Sequence, residues 1–238
     1  MNLSATGLHY QELNEAIRAV PGDVVVENVV GQRYIGCGQS GRYITLHGTP
    51  GNALGAYLNG AAIKVCGNAQ DAVGDTMNDG FIVIEGSAGD ALGYAMRGGK
   101  IYVRGNSGYR TGIHMKEYED KSPVIVVGGK TGSFLGEYLA GGLIIVLGLW
   151  SEGCPVSNFT GMGMHGGRIF IRSSVRPQNL PPQVVCEEAS AEELASIEDQ
   201  LIQYAALFHI PMAEIHAKPF YLLHPNAANP YKRLYTTN

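Results

Sequence analysis

Positive charge is scarce in this chain, with 17 Lys and Arg against 21 Asp and Glu in 238 residues and a net charge of −4. That leaves no basic field for nucleic acid or for an anionic membrane surface. Long hydrophobic runs are missing as well, since no apolar stretch approaches the roughly 18 residues of a membrane helix. The opening residues, MNLSATGLHYQELNEA, carry neither the basic nor the apolar segment of an export signal, so a cytoplasmic location is expected. The four cysteines, Cys37, Cys66, Cys154 and Cys186, show no CxxC spacing and none sits beside another. Reduced thiols fit that spacing better than a metal or iron–sulfur motif. No serine elbow, P-loop or paired general acid and base stands out.

Glycine, by contrast, is abundant at 33 residues, and it is periodic. Gly36, Gly55, Gly74, Gly93 and Gly112 fall 19 residues apart, and Gly136 and Gly161 continue the row after 24 and 25. An isoleucine follows eight residues after most of these glycines: Ile44, Ile63, Ile82, Ile101, Ile144 and Ile169. Ile125 lies thirteen after Gly112, which places an insertion of five close to Glu117–Ser122. An insertion of six falls between Gly148 and Gly161 and contains Trp150, the single tryptophan. A fixed period near 20 marks a solenoid, in which each coil covers the apolar face of its neighbour.

The grain of one coil says which solenoid. Ile63-x-Val65, Ile82-x-Ile84 and Ile101-x-Val103 alternate as a strand with one buried face does. Further buried stripes run through Leu58, Met77, Met96, Met115, Leu139 and Met164, and through Leu54, Val73, Leu92 and Leu135. Short strands on three faces, joined at glycine corners, make an all-β parallel β-helix of about seven coils between Gly36 and Ser173. Residues 1–23 read as a helical N-terminal cap, 24–175 as the β-helix, and 176–238 as a Pro-rich linker, a capping helix and an extended tail. The capping helix begins at Ser190, where Ser190-Ala-Glu-Glu193 matches a capping box. Leu194, Ile197, Leu201, Tyr204 and Phe208 form its apolar face.

Several features invite a chemical reading. Gly36-Cys-Gly38-Gln-Ser-Gly41 and Gly161-Met-Gly163-Met-His-Gly166 fit the dinucleotide fingerprint, yet strands rather than helices are expected after both, so they read as corners. His209, His216 and His224 lack metal-ligand spacing. His114 and His165 sit near corners, with no acid or nucleophile fixed beside them. Asp71, Asp75, Asp79 and Asp90 lie at turns, where such side chains bond local amides. Trp150 is the best single anchor for a protein interface, with simple packing equally open. The outward slots Lys64, Val83, Tyr102, Ile145 and Phe170 are mixed and partly apolar, like a surface meant to be covered. A polysaccharide-active enzyme would instead need carboxylates, or calcium ligands with basic residues, along such a stripe.

The coils, and GSAGDALGYAMRGGKIYVRG and GEYLAGGLIIVLG in particular, resemble the C-terminal GXGXG-repeat β-helix domain of the glutamate synthase large subunit. The resemblance covers roughly Glu27–Arg172, with a weaker echo over Phe220–Tyr235. It implies a right-handed β-helix and no catalytic, cofactor-binding or metal-binding residues in this chain. FMN and an iron–sulfur cluster would belong to a partner. The expected role is a noncatalytic scaffold, a stand-alone subunit holding a glutaminase partner and an FMN-binding synthase partner for glutamine-dependent glutamate formation. The formylmethanofuran dehydrogenase small subunit shares the coil type. An equivalent role there, or in a methylamine-using amidotransferase complex, is the alternative. The sequence leaves self-association open.

Overall fold

In the computed structural model, residues 1–226 are described. A short strand β1 (Asn2–Ser4) precedes helix α1 (Tyr10–Ala19), and eight strands then follow in parallel. They are β2 (Val24–Val30), β3 (Tyr43–Thr49), β4 (Asn59–Cys66), β5 (Asp79–Ile84), β6 (Lys100–Val103), β7 (Val124–Val127), β8 (Ala140–Val146) and β9 (Gly166–Arg172). Each pairs with the next in chain order, so the chain winds a parallel β-solenoid of about eight turns. At the usual strand spacing of about 4.8 Å the stack is roughly 35–40 Å tall. Val24–Val30 forms a full turn of its own, with Val24 opposite Ile44 and Val26 opposite Leu46.

Register follows the isoleucine row. Ile44, Ile63, Ile82, Ile101, Ile125, Ile144 and Ile169 are successive Cα partners. A slip of one residue would expose every one of them, so burial enforces the pairing. The first insertion leaves the ladder intact because it closes on itself. Tyr118 and Lys121 exchange backbone hydrogen bonds of 3.1 and 3.0 Å, and Glu119 turns the chain at φ 55°. The second insertion bulges around Trp150 and rejoins the stack at Pro155, whose carbonyl accepts from Thr131 N–H at 2.9 Å.

Only one side of the solenoid is a continuous sheet. Three strand-lined faces were expected; the other sides are turns, with isolated bridges Ala69–Ala88 and Ser107–Thr131 among the described residues. In the coil around Gly74, Ala72, Gly74 and Thr76 all have positive φ. Asp75 N–H bonds the Ala72 carbonyl at 3.3 Å and Met77 N–H bonds the Gly74 carbonyl at 3.1 Å. Two overlapping turns, each left-handed at its third residue, reverse the chain every two residues and leave no room for a strand. Each such non-glycine residue costs about 1–2 kcal/mol. Inter-coil bonds hold them in place: Thr76 N–H reaches the Tyr94 carbonyl at 2.7 Å and Gly74 N–H reaches the Leu54 carbonyl at 2.8 Å.

The seven corner glycines, Gly36, Gly55, Gly74, Gly93, Gly112, Gly136 and Gly161, have φ between 63° and 74°. A side chain at Gly74 would also meet Ile101 Cδ1 at 2.5 Å, so the corner sits directly against the isoleucine of the following coil. Gly36, Gly55, Gly93, Gly112 and Gly136 have the same neighbour in their own registers. The other stripes, from Leu58 to Met164 and from Leu54 to Leu135, are fully buried in the bore.

Asp71 and Asp90 cap the stack differently from the local bonding expected of them. Asp71 Oδ1 accepts from Asp90 N–H at 2.9 Å, and Asp90 Oδ1 accepts from Tyr109 N–H at 2.8 Å. Because equal slots lie one above another, the nearest free amide belongs to the next coil. A parallel ladder links Asn68 to Ser87 N–H (2.8 Å), Ser87 to Asn106 N–H (3.0 Å) and Asn106 to Lys130 N–H (2.7 Å).

Both ends are closed. At the first, Leu13 and Ile17 of α1 pack into the bore, and β1 pairs with β2. At the second, strand β10 (Val184–Glu188) precedes helices α2 (Ala191–Ala195), α3 (Glu198–Phe208) and α4 (Met212–Ile215), and strand β11 (Phe220–Pro225) follows them. β11 runs antiparallel to β9, placing Leu223 opposite Ile169, and β10 pairs outside it. The outer strand β10 carries Glu187 and Glu188, and Arg176 from the Pro-rich linker donates to the Cys186 carbonyl at 2.5 Å. Charge and a covering loop blunt a sheet edge against stray pairing. The capping box forms as expected, with Glu193 N–H to Ser190 Oγ at 3.3 Å and Ser190 N–H to Glu193 Oε2 at 2.7 Å. The helix it opens ends at Ala195, and α3 restarts after Ile197. Of the expected tail, the part up to residue 226 packs on this chain, and Tyr231–Tyr235 lies outside the described residues.

Candidate functional site

The outward face of the sheet is divided. Val83, Tyr102, Val126, Ile145 and Phe170 form a second apolar core with Ile197, Leu201, Tyr204 and Phe208. The stripe expected to be covered is covered, and by the chain's own helices. The fit is specific. Tyr102 OH donates to Gln203 Oε1 at 3.0 Å, and Tyr204 OH donates to the Arg104 carbonyl at 3.1 Å. Burial pushes both phenols well above their ordinary pKa. Arg172, almost wholly buried, donates to the carbonyls of Leu147 (3.0 Å), Glu214 (2.7 Å) and Ile215 (2.7 Å), tying β8, α4 and β9 together. Burial lowers its pKa, with Glu214 opposing. Lys64 stays exposed on the uncovered half, paired with Glu85 at 2.8 Å.

The turn side presents a different surface. Residues two before and two after each corner glycine are left-handed, and equal slots of successive coils stack. In this way His114 lies on Tyr138 (5.1 Å, 9°), and Phe134 lies on Phe159 (4.9 Å, 19°). Tyr94 meets the edge of His114 at 6.0 Å. Arg110 sits over Phe134 at 5.2 Å and pairs with Glu137 at 3.0 Å. Tyr94, Tyr138 and Phe159 are nonetheless 40–46% exposed. Such a cluster of rings, one arginine and little net charge has the composition of a protein interface. Aligning the slots at glycine ±2 would have brought His114, Phe134, Tyr138 and Phe159 out of the sequence, whereas Tyr94 follows its glycine directly. The corner glycines themselves lie beneath it as its frame.

The remaining candidates are dispersed. Gly36–Gly41 and Gly161–Gly166 lead into β3 and β9, so no helix terminus is present to hold a pyrophosphate. His209 ends α3, His216 faces Glu198 at 3.3 Å, and His224 faces Glu187 at 3.2 Å. Cys37, Cys66, Cys154 and Cys186 are all free thiols, and no group of three or more His, Cys, Asp or Glu among the described residues could hold a metal ion. Trp150 is 56% exposed, in the bulge of the second insertion. No helix among the described residues is long and apolar enough to cross a membrane.

A parallel solenoid, covered by helices along one side and bearing stacked rings on another, defines the class as a β-solenoid. The chain belongs to the GXGXG motif family, the glutamate synthase C-terminal-like β-helix, whose pattern matches residues 9–221. A relative named "Uncharacterized protein MJ1350", from Methanocaldococcus jannaschii, is 39% identical over 249 residues, covering 98% of this chain and 95% of that protein.

Proposed function

We propose that the protein is a noncatalytic scaffold of a glutamate synthase-like complex, holding a glutaminase partner and an FMN- and iron–sulfur-bearing synthase partner at a set distance. The observation that carries this reading is the stacked aromatic patch of Tyr94, His114, Phe134, Tyr138 and Phe159 on a frame with continuous backbone pairing. A frame in which every coil bonds the next deforms little, so two proteins bound along it keep their separation. Family membership supports the nitrogen-transfer setting. The relative matches over 98% of this chain and 95% of its own length, so the same coils run through both.

The test is purification of the native protein from its own cells, with mass spectrometry of its companions and a flavin absorbance scan. Amidotransferase and flavoprotein subunits at fixed stoichiometry are expected. The double variant Tyr138→Ser, Phe159→Ser should lose at least one companion while melting within a few degrees of the parent. Glutamine hydrolysis or amination by the isolated chain, or companions of a dehydrogenase of another class, would overturn the reading.

A further inference from the structure

A cleft of about 420 Å³ opens where the covered half of the sheet gives way to the uncovered half. It is lined by Lys64, Glu85, Arg104, Leu207, Phe208, His209 and Ile210. That volume suits a small ligand, and a cleft combining apolar walls with a few convergent polar groups is where one binds. Its parts differ sharply in character. Leu207, Phe208 and Ile210, at the end of α3, supply an apolar wall. Glu85 and Arg104 each follow an inward residue (Ile84 and Val103, which are paired) and so stand outward on adjacent coils. Glu85 already holds Lys64 at 2.8 Å. The Arg104 guanidinium makes no hydrogen bond or ion pair among the described residues, although its backbone is held by Tyr204 OH at 3.1 Å. His209, left-handed at φ 56°, ends α3, and residues 207–210 at that C-terminal end line the cleft.

The signs of these groups narrow the ligand. A plain anion would meet Glu85 and the negative helix end, and a plain cation would meet Arg104 and Lys64. A ligand carrying both charges a few bonds apart satisfies both sides. We propose that this cleft binds a free α-amino acid with an apolar side chain, its carboxylate on Arg104, its ammonium toward Glu85 and the α3 terminus, and its side chain on Leu207, Phe208 and Ile210. The guanidinium fork matches a carboxylate in two parallel bonds, which an ammonium cannot reproduce. The cleft is open, so binding belongs in the millimolar to high-micromolar range. This site does not depend on the scaffold reading.

Isothermal titration of the full chain with L-leucine tests it, beside isopentylamine (no carboxylate) and 4-methylpentanoate (no ammonium). Saturable leucine binding is expected, with both analogues at least ~10-fold weaker, since a charge-assisted hydrogen bond contributes about 1.5–3 kcal/mol. Arg104→Gln should weaken leucine at least ~10-fold by the same bond count and leave isopentylamine unchanged. If that variant unfolds, Arg104→Lys should fold and still bind leucine more weakly than the parent. Absence of saturable leucine binding, equal binding of either analogue, or undiminished affinity in the arginine variants would overturn the proposal.

Discussion

Replacing Gly74 by alanine isolates what the corner row does. Two penalties apply at once. The φ of 69° costs an alanine about 1–2 kcal/mol. The added methyl also meets Ile101 Cδ1 at 2.5 Å in a bore where Ile101 and Met77 are fully buried, and overpacking of this kind costs about 1–3 kcal/mol. Together the loss is about 2–5 kcal/mol, or roughly 4–20 °C in melting temperature for a chain of this size. Gly38 is the control. Its φ of 66° is nearly the same, but a methyl there meets nothing within 4 Å. Other coils already place Tyr57, Thr76, Ala95, His114 and Tyr138 in that slot. Gly38→Ala should therefore cost only the dihedral penalty, about 1 kcal/mol. Ile101→Val removes the obstructing methyl and by itself costs about 0.5–1.5 kcal/mol. In Gly74→Ala it should recover part of the loss, giving a coupling of about 1 kcal/mol in a double-mutant cycle by urea unfolding. Equal costs at Gly38 and Gly74, or strict additivity with Ile101→Val, would refute the account of the corner.

Other outcomes follow from the helical cover. Arg172→Met leaves the buried Leu147 and Ile215 carbonyls without their donor and removes one donor from Glu214, and should cost about 3 kcal/mol, with faster hydrogen exchange over residues 212–225. Tyr102 and Tyr204 are held neutral in the fold above the usual phenol value of about 10. Their stabilisation is complete below that value and is lost as pH rises beyond it, so α3 should detach in alkali. Tyr204→Phe should cost about 1 kcal/mol at neutral pH through the lost Arg104 carbonyl bond, and flatten the alkaline fall. Asp79 is held below the ordinary carboxylate range, chiefly by the hydrogen bond from Lys121. Its contribution is present above the unfolded value and lost as pH falls through the folded one. Asp79→Asn should loosen the loop at 117–122, seen as faster exchange there, and high salt should mimic part of the effect.

Much of the architecture was open to reading because a solenoid repeats its constraints. The isoleucine row, the inner methionine stripe and both insertions could be placed by counting, since each slot meets the same slot one coil away. The turn sides were harder. Ala53, Ala72 and Ala91 carry no mark of a left-handed backbone, and only inter-coil bonding makes that backbone tolerable. Asp71 and Asp90 likewise looked like local turn residues until the coil above supplied their amides.

The 19-residue period by itself determined the solenoid, its register and the burial of its bore, because periodicity and side-chain polarity are properties of the chain order. Tertiary structure decided what that order does not contain. The apolar outer stripe from Val83 to Phe170 could have met another protein; the placement of α3 gave it to the chain's own Leu201, Tyr204 and Phe208. Residues a hundred positions apart, such as Tyr204 and Arg104, meet through the path of the backbone. The stacked rings of His114, Tyr138, Phe134 and Phe159 exist only once the coils lie at strand spacing, which is also the distance at which aromatic faces attract.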